Sequence, residues 1–330
     1  MHGADNLIEW PHGDTAARVL GASPRRRGPF AALALTGMEV LYRSGVKLRN
    51  IAFDFGLRRA LHASMPVVSI GNIVAGGAGK TPFTRWVVDV FATQGRKVAV
   101  LHGGYGSDEP ALHLLWRPHT IVIEERDRVE AAEAAFEQGA DVIVLDDAFQ
   151  HRRLARDLDI VLLPVETNSG RLLPRGPLRE PESALRRADI VVVTRKTASA
   201  EDARRLAARL RERYNKPVAV AAMLAAEPLT ITGDAVVVAA IARPDLLLQQ
   251  LQTAGVNVVK VIAYPDHHNY TMRDADHIRR VTRGLPIITT EKDAIKLVSA
   301  FDASELLVLK QKVVIEEGEE QLRAMLERVL

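Results

Sequence analysis

An apolar strand that runs through a glycine-rich turn into Gly-Lys-Thr and then a helix leaves a chain few folds to choose from. Pro66-Val67-Val68-Ser69-Ile70 reads as the strand, and Gly71-Asn72-Ile73-Val74-Ala75-Gly76-Gly77-Ala78-Gly79-Lys80-Thr81 as the turn. A helical run follows from Pro82. Successive glycines let backbone N–H groups converge on one anion, and the helix adds its positive N-terminal end. In such a loop Lys80 reaches the β/γ-phosphates of a nucleotide and Thr81 holds Mg²⁺. The usual spacing puts a glycine five positions before Gly79; Val74 stands there, and the extra glycine has moved into the pair Gly76-Gly77. The loop is a variant, with Gly76, Gly77, Ala78, Gly79, Lys80, Thr81 and Pro82 as its phosphate-binding stretch. The bland alternative is a structural turn.

At 330 residues the chain is long for one core, so two domains are expected. The reading is a leader over 1–28, an N-terminal membrane-associated helix over 29–55, a phosphate-loop domain over 56–197 and a smaller α/β domain over 198–330. The leader lacks the long apolar core of a secretory signal. Arg25-Arg26-Arg27 precede an apolar run from Pro29 to Met38 that is too short to span a bilayer but suits an interfacial helix. The competing reading is an amphipathic helix packed on the domain. A net charge of +3 does not argue for nucleic acid, and the absence of cysteine excludes disulfides and thiolate metal sites.

Downstream of the loop, apolar strands alternate with helices, the pattern of a parallel α/β sheet. Lys97–Leu101 ends in a turn-rich segment carrying Asp108, either a site residue or a helix N-cap. Asp141-Val142-Ile143-Val144-Leu145-Asp146-Asp147 delivers two carboxylates at a buried strand's carboxyl end, where such enzymes hold Mg²⁺. Two adjacent buried like charges are costly without a cation. Gln150 and His151 follow, as nucleotide or substrate contacts or as polar surface. A stiff proline- and glycine-rich loop then presents Arg171, Arg175 and Arg179, whose guanidinium groups suit forked bonds to phosphate. The second half alternates again, with polar clusters at Asp266-His267-His268 and Thr290-Glu291-Lys292-Asp293 after strands. The histidine pair suits proton handling or substrate contact, and unassigned surface histidines remain the alternative.

Together these motifs resemble the tetraacyldisaccharide 4′-kinase family of lipid A biosynthesis. The resemblance runs from about Pro29 to the C-terminus, through Gly-Asn-Ile-Val-Ala-Gly-Gly-Ala-Gly-Lys-Thr-Pro, Gly-Tyr-Gly, Asp-Glu-Pro, Asp-Asp-Ala-Phe-Gln-His, Leu-Pro-Arg-Gly-Pro-Leu-Arg-Glu-Pro, Asp-His-His and Thr-Glu-Lys-Asp-Ala. It implies two α/β domains and a kinase using ATP and Mg²⁺ on an acylated glucosamine disaccharide lipid. It also implies attachment to the cytosolic face of a Gram-negative inner membrane. By matching motif, Lys80 and Thr81 serve phosphate and Mg²⁺, Asp146 and Asp147 are the metal carboxylates, and Asp108 is the base, with His267 or His268 as its partner. Arg128, Gln150, Arg179 and Glu180 fall among substrate- or phosphate-binding positions. Four departures stand out. Gly103 replaces the arginine of Arg-Gly-Tyr-Gly, Ala148 replaces the glycine of Asp-Asp-Gly, the glycine-rich turn after the Ala235 strand reads Ala239-Ala240-Ile241-Ala242-Arg243-Pro244, and the stretch between Gly-Tyr-Gly and Asp-Glu-Pro, which shapes one wall of the cleft, is nearly absent. Rival readings are another kind of P-loop NTPase, against which the missing guanine motif speaks, and a degenerate non-catalytic relative.

Overall fold

The computed structural model describes residues 7–11, 29–104, 108–167, 170–227, 231 and 233–330. Most of the expected leader, and Tyr105, Gly106 and Ser107 of the turn before Asp108, lie outside the described residues. In chain order the elements are β1 (Ile8–Glu9), α1 (Pro29–Asp54), β2 (Val67–Asn72), α2 (Lys80–Thr93), β3 (Val98–His102), α3 (Asp108–Trp116), β4 (Ile121–Glu124), α4 (Arg128–Glu137), β5 (Val142–Asp146), β6 (Leu158–Pro164), β7 (Ile190–Arg195), α5 (Ala200–Tyr214) and β8 (Val218–Ala225). Then follow β9 (Asp234–Ala239), α6 (Pro244–Thr253), β10 (Asn257–Ala263), α7 (Met272–Thr282), β11 (Ile287–Thr290), α8 (Glu291–Leu297), β12 (Leu306–Leu309), β13 (Gln311–Glu317) and α9 (Glu319–Glu327).

The chain divides into two compact units. The nucleotide-type unit takes Ser23–Met223 and returns for Val313–Leu330. Its eight-stranded sheet has the order β13-β8-β7-β6-β2-β5-β3-β4, and β4, β3, β5, β2, β6, β7 and β8 pair parallel along it. Side chains alternate across a strand, so each strand feeds two cores. Val68, Ile70, Ile160, Leu162, Val142 and Val144 face α2 and α9, where Phe83, Val87, Phe91, Leu322 and Leu326 meet them. The intervening residues face away: Val161, Val191 and Val193 pack on Ala203, Ala207 and Leu210 of α5, and Ile143 and Leu145 on Ala131 and Ala135 of α4. Strands buried on both faces read as continuous apolar runs, as these do.

The expected boundary near Thr197 falls inside this unit. The charged helix α5 keeps only a narrow apolar stripe, and that stripe is buried against the first sheet, which β8 then extends. The division comes within β8, and the chain crosses back within β13.

The smaller unit takes Met1–Ala22 and Leu224–Lys312. Its sheet, ordered β1-β10-β9-β11-β12, is parallel throughout. Val237 and Ala239 pack toward Leu247, Leu248 and Leu251 of α6, and Val236 and Val238 toward Ala275 and Ile278 of α7.

Helix α1 belongs to the nucleotide-type unit. Glu39 accepts the Leu172 backbone N–H at 3.1 Å, the Tyr42 hydroxyl donates to the Arg179 carbonyl at 3.0 Å, and Arg49 and Asn50 donate to Glu180, each at 2.9 Å. Leu33, Val40, Leu41 and Leu48 on the same helix are exposed. Among the described residues no helix is long and apolar enough to cross a membrane.

Candidate active site

In the larger sheet the connections run to β3 on one side of β2, return to β5, and cross to β6 on the other. Ligands of open α/β sheets bind beyond the carboxyl ends of strands at this kind of reversal. The loop between β2 and α2 sits there, and β5 lies hydrogen-bonded beside β2 with Ile70 opposite Asp146.

The backbone of the loop is bent as an anion cradle needs. Gly76, Gly77 and Gly79 adopt φ of 72°, 67° and 81°, the left-handed region. A Cβ on Gly79 would also lie 2.9 Å from the Met223 methyl, which a flexible side chain can move, so it is the left-handed conformation that disfavours a larger residue here. Gly79 is the N-cap of α2 and offers no side-chain cap, and the first turn carries no acidic residue. The first N–H groups of α2 therefore receive nothing from a cap, the condition that favours an incoming phosphate. The loop is tethered by Thr194, whose hydroxyl donates to the Ala78 carbonyl at 3.1 Å, and by the Ala75 N–H on the Pro177 carbonyl at 2.7 Å.

Lys80 lies 3.6 Å from an Asp147 carboxylate oxygen, and Arg179 donates to both oxygens of the same carboxylate at 2.8 and 2.9 Å. Asp147 itself has a φ of 54°, an uncommon conformation that Asp tolerates and that turns the chain sharply at the end of β5. Such a residue costs on the order of 1–3 kcal/mol. One buried strand residue such as Val144, at about 1.5–3 kcal/mol, suffices to offset it. Burial pushes the Asp147 carboxyl up, but Lys80 and Arg179 more than offset this and hold it below the ordinary value.

Asp146 is different. It is 2% exposed, and neither carboxylate oxygen has a hydrogen-bond partner. Burial raises its pKa, and His113, His102 and Lys80 together bring it below the ordinary carboxylate value, so it is a buried anion. The Thr81 hydroxyl, also buried, donates to Glu109 at 2.9 Å. An unbonded buried carboxylate one strand from an uncapped phosphate loop, with a threonine hydroxyl at the loop's end, is a set of hard oxygen donors suited to Mg²⁺.

Asp108 is buried as the first residue of α3, inside the helix's first turn rather than ahead of it. It follows β3, two strands from β2 in the same sheet, so its level is set by a strand end. Gln150 donates to the Asn72 carbonyl at 2.9 Å and ties the end of β2 to the turn after β5. Arg128 is 3% exposed, and its guanidinium donates to the carbonyls of His102 and Glu125. Glu180 is wholly buried, with Arg49, Asn50 and Arg187 donating to its carboxylate. Arg128 and Glu180, expected at substrate, are thus engaged in holding backbone and α1.

In the smaller unit, His268 Nε2 lies 3.1 Å from Asp274, and its ring stacks on Tyr264 at 4.8 Å between centroids. His267 sits in a turn at φ 61°, with its side chain about a third exposed and 3.9 Å from Asp266. Asp293 is buried and accepts from the Ala240 N–H, the Tyr270 hydroxyl and the Thr290 hydroxyl.

Comparison with known proteins identifies the family. A family model described as tetraacyldisaccharide-1-P 4′-kinase matches the chain in two pieces, residues 31–115 and 107–330. The chain belongs to this family. A tetraacyldisaccharide 4′-kinase of Anaeromyxobacter sp. (strain K) is 37% identical, covering 92% of this chain and 93% of the relative. That of Chlorobaculum tepidum is 34% identical over 84% and 90%. The crystal structure of LpxK from Aquifex aeolicus in complex with ATP superposes with a TM-score of 0.70 at 26% identity, covering 90% of this chain and 98% of that one. The α/β fold with a parallel sheet is shared with that structure.

Three residues of this 4′-kinase family member escaped assignment from sequence. Glu109 was legible only as part of Asp-Glu-Pro, yet it holds Thr81. His102 and His113 are 4% and 2% exposed and stand next to each other with ring centroids 5.1 Å apart. Burial pushes the His102 imidazole down to about 4. A histidine closing a buried strand at its ligand end was the available signal for His102; His113, on the buried side of a short helix, had none.

Proposed function

We propose that the protein transfers the γ-phosphate of ATP to the 4′-hydroxyl of a tetraacyldisaccharide 1-phosphate in lipid A biosynthesis. The observation that carries this reading is the pairing of an uncapped helix behind the glycine loop with the unbonded buried carboxylate of Asp146 on the neighbouring strand. Phosphoryl transfer asks the protein for position and charge neutralisation more than for covalent chemistry. The loop N–H groups and Lys80 bind the phosphates. Arg179, forked onto Asp147, keeps that carboxylate beside Lys80. Thr81 and Asp146 would hold Mg²⁺, which supplies positive charge to the β- and γ-phosphate oxygens when bound. Asp108 accepts the proton of the sugar hydroxyl as the new P–O bond forms. Arg128 and Glu180 act as positioning residues. The test is incubation of the purified chain with γ-labelled ATP and the acylated disaccharide 1-phosphate. Label in the lipid supports the reading, and ATP hydrolysis without lipid labelling rejects it.

The same reading puts the enzyme on the cytosolic face of the inner membrane through α1. Leu33, Leu41 and Leu48 are 72%, 75% and 67% exposed on a helix whose other residues are bonded to the Leu172–Glu180 loop. An apolar surface that the domain leaves uncovered, with Arg43 and Lys47 also exposed, suits the headgroup boundary. Because truncating α1 would remove Glu39 and Tyr42 and their bonds, the cleaner variant is Leu33→Gln, Leu41→Gln and Leu48→Gln together. It should lose co-sedimentation with anionic liposomes while keeping its melting temperature; undiminished co-sedimentation would reject the anchor.

A further inference from the structure

We infer that His102, His113 and Asp146 form a binding site for one divalent transition-metal ion, a site that shares Asp146 with the proposed Mg²⁺ position and differs from it in donor chemistry. The three side chains come from the end of β3, the middle of α3 and the end of β5, separated by up to 44 residues in sequence (146 minus 102). One donor atom from each lies within 4.8 Å of the others. All three are more than nine-tenths buried. His102 Nε2, His113 Nε2 and both Asp146 oxygens make no hydrogen bond, and the His113 to Asp146 separation of 3.8 Å is too long for one.

Four unbonded polar atoms converging in a buried spot are unusual. Each one left so costs roughly 1–3 kcal/mol, so a protein that keeps them together has a use for them. Water could bond them, but two imidazoles and a carboxylate form a donor set of a particular kind. Two nitrogens and one oxygen suit Zn²⁺, Co²⁺ or Fe²⁺ and are poor for Mg²⁺, which prefers oxygen ligands. Metal–nitrogen bonds of about 2.0–2.1 Å put neighbouring ligand atoms somewhat closer than the present spread, a difference that side-chain rotation covers. Three protein ligands leave a position open for water, as in zinc sites that are not purely structural. The support around the cluster is already ordered. Trp116 meets the His113 ring edge-on at 5.4 Å, and Arg128 holds the His102 carbonyl. Because Asp146 is shared, an ion here touches the carboxylate assigned to Mg²⁺ from the side of β3 and α3.

The experiment is a titration of the full-length, metal-stripped protein with Co²⁺, followed by its visible absorption, and with Zn²⁺ by calorimetry. One equivalent should bind per chain, and the Co²⁺ spectrum should carry the intense bands of a low-coordinate nitrogen-ligated ion. Millimolar Mg²⁺ without nucleotide should leave that spectrum in place. His102→Gln and His113→Gln should each weaken binding by more than about tenfold, the lower bound for losing even an outer partner of a metal ligand. Exposed His62→Gln and His119→Gln should change nothing. No stoichiometric binding by the wild-type protein overturns the inference whether or not the variants fold. Displacement of Co²⁺ by Mg²⁺ alone overturns it too, since the cluster would then be only the Mg²⁺ site.

Discussion

The two α/β units are built alike and spend their polar groups differently. Both have parallel sheets buried on both faces, and both put carboxylates and hydroxyls just past strand ends. In the smaller unit those groups serve the backbone. Thr271 and Asp274 form a capping box at α7, Thr290 caps α8, and Asp293 accepts three hydrogen bonds while buried. In the nucleotide-type unit the helix after β2 begins on a glycine with no cap, and Asp146 is buried with no hydrogen bond at all. A fold by itself does not specify chemistry. Groups that folding has left unsatisfied point to what binds, because their cost is recovered only with a ligand present.

The sharpest way to break this comparison is at Lys80. Lys80→Ala should lower kcat by about a thousandfold or more, in the range for removing a charge-stabilising cation from phosphoryl transfer, with the melting temperature little changed. Near-normal turnover would mean that the uncapped loop is not the nucleotide site. Next comes Asp108→Ala. It should cost roughly 10²–10⁴ in kcat with ATP affinity nearly intact, because a proton acceptor matters in the transition state. Near-normal kcat in Asp108→Ala would remove it as the proton acceptor.

The smallest expected effect is on stability against pH, and it should have opposite signs at two buried carboxylates. Burial raises Glu180 in the nucleotide-type unit, but Arg187, Asn50 and Arg49 more than compensate, so its folded pKa lies below the ordinary 4.5. Its contribution is therefore present above that value and lost as pH falls through the folded pKa. Burial raises Asp293 in the smaller unit above the ordinary 3.8, in spite of its hydrogen bonds. Its contribution is present below 3.8 and lost as pH rises through the folded pKa. Urea unfolding of Glu180→Gln and Asp293→Asn between neutral pH and pH 3 checks this. The stability deficit of Glu180→Gln should shrink as pH falls, and that of Asp293→Asn should grow; parallel trends would remove the distinction drawn between the two carboxylates.

What the sequence by itself determined was whatever depends on neighbours in the chain. The glycine loop, the apolar runs of β2, β5 and β7, the carboxylates after β5 and the parallel α/β class are local patterns, and they reappear at the expected residues. Helix α1 was legible too, as an apolar run between arginines. The tertiary structure decided matters that rest on residues far apart. It divided the chain within β8 rather than at Thr197, because α5 buries its narrow stripe on the first sheet and the last 18 residues return to that unit. It enclosed Glu180 among Arg49, Asn50 and Arg187, and Arg128 among carbonyls, where motif position had suggested contact with substrate. It also brought His102 and His113 to Asp146, a meeting set by sheet order. Periodicity and spacing report which face a residue takes within its own element; which elements become neighbours depends on how whole faces pack, and no single stretch of the chain carries that information.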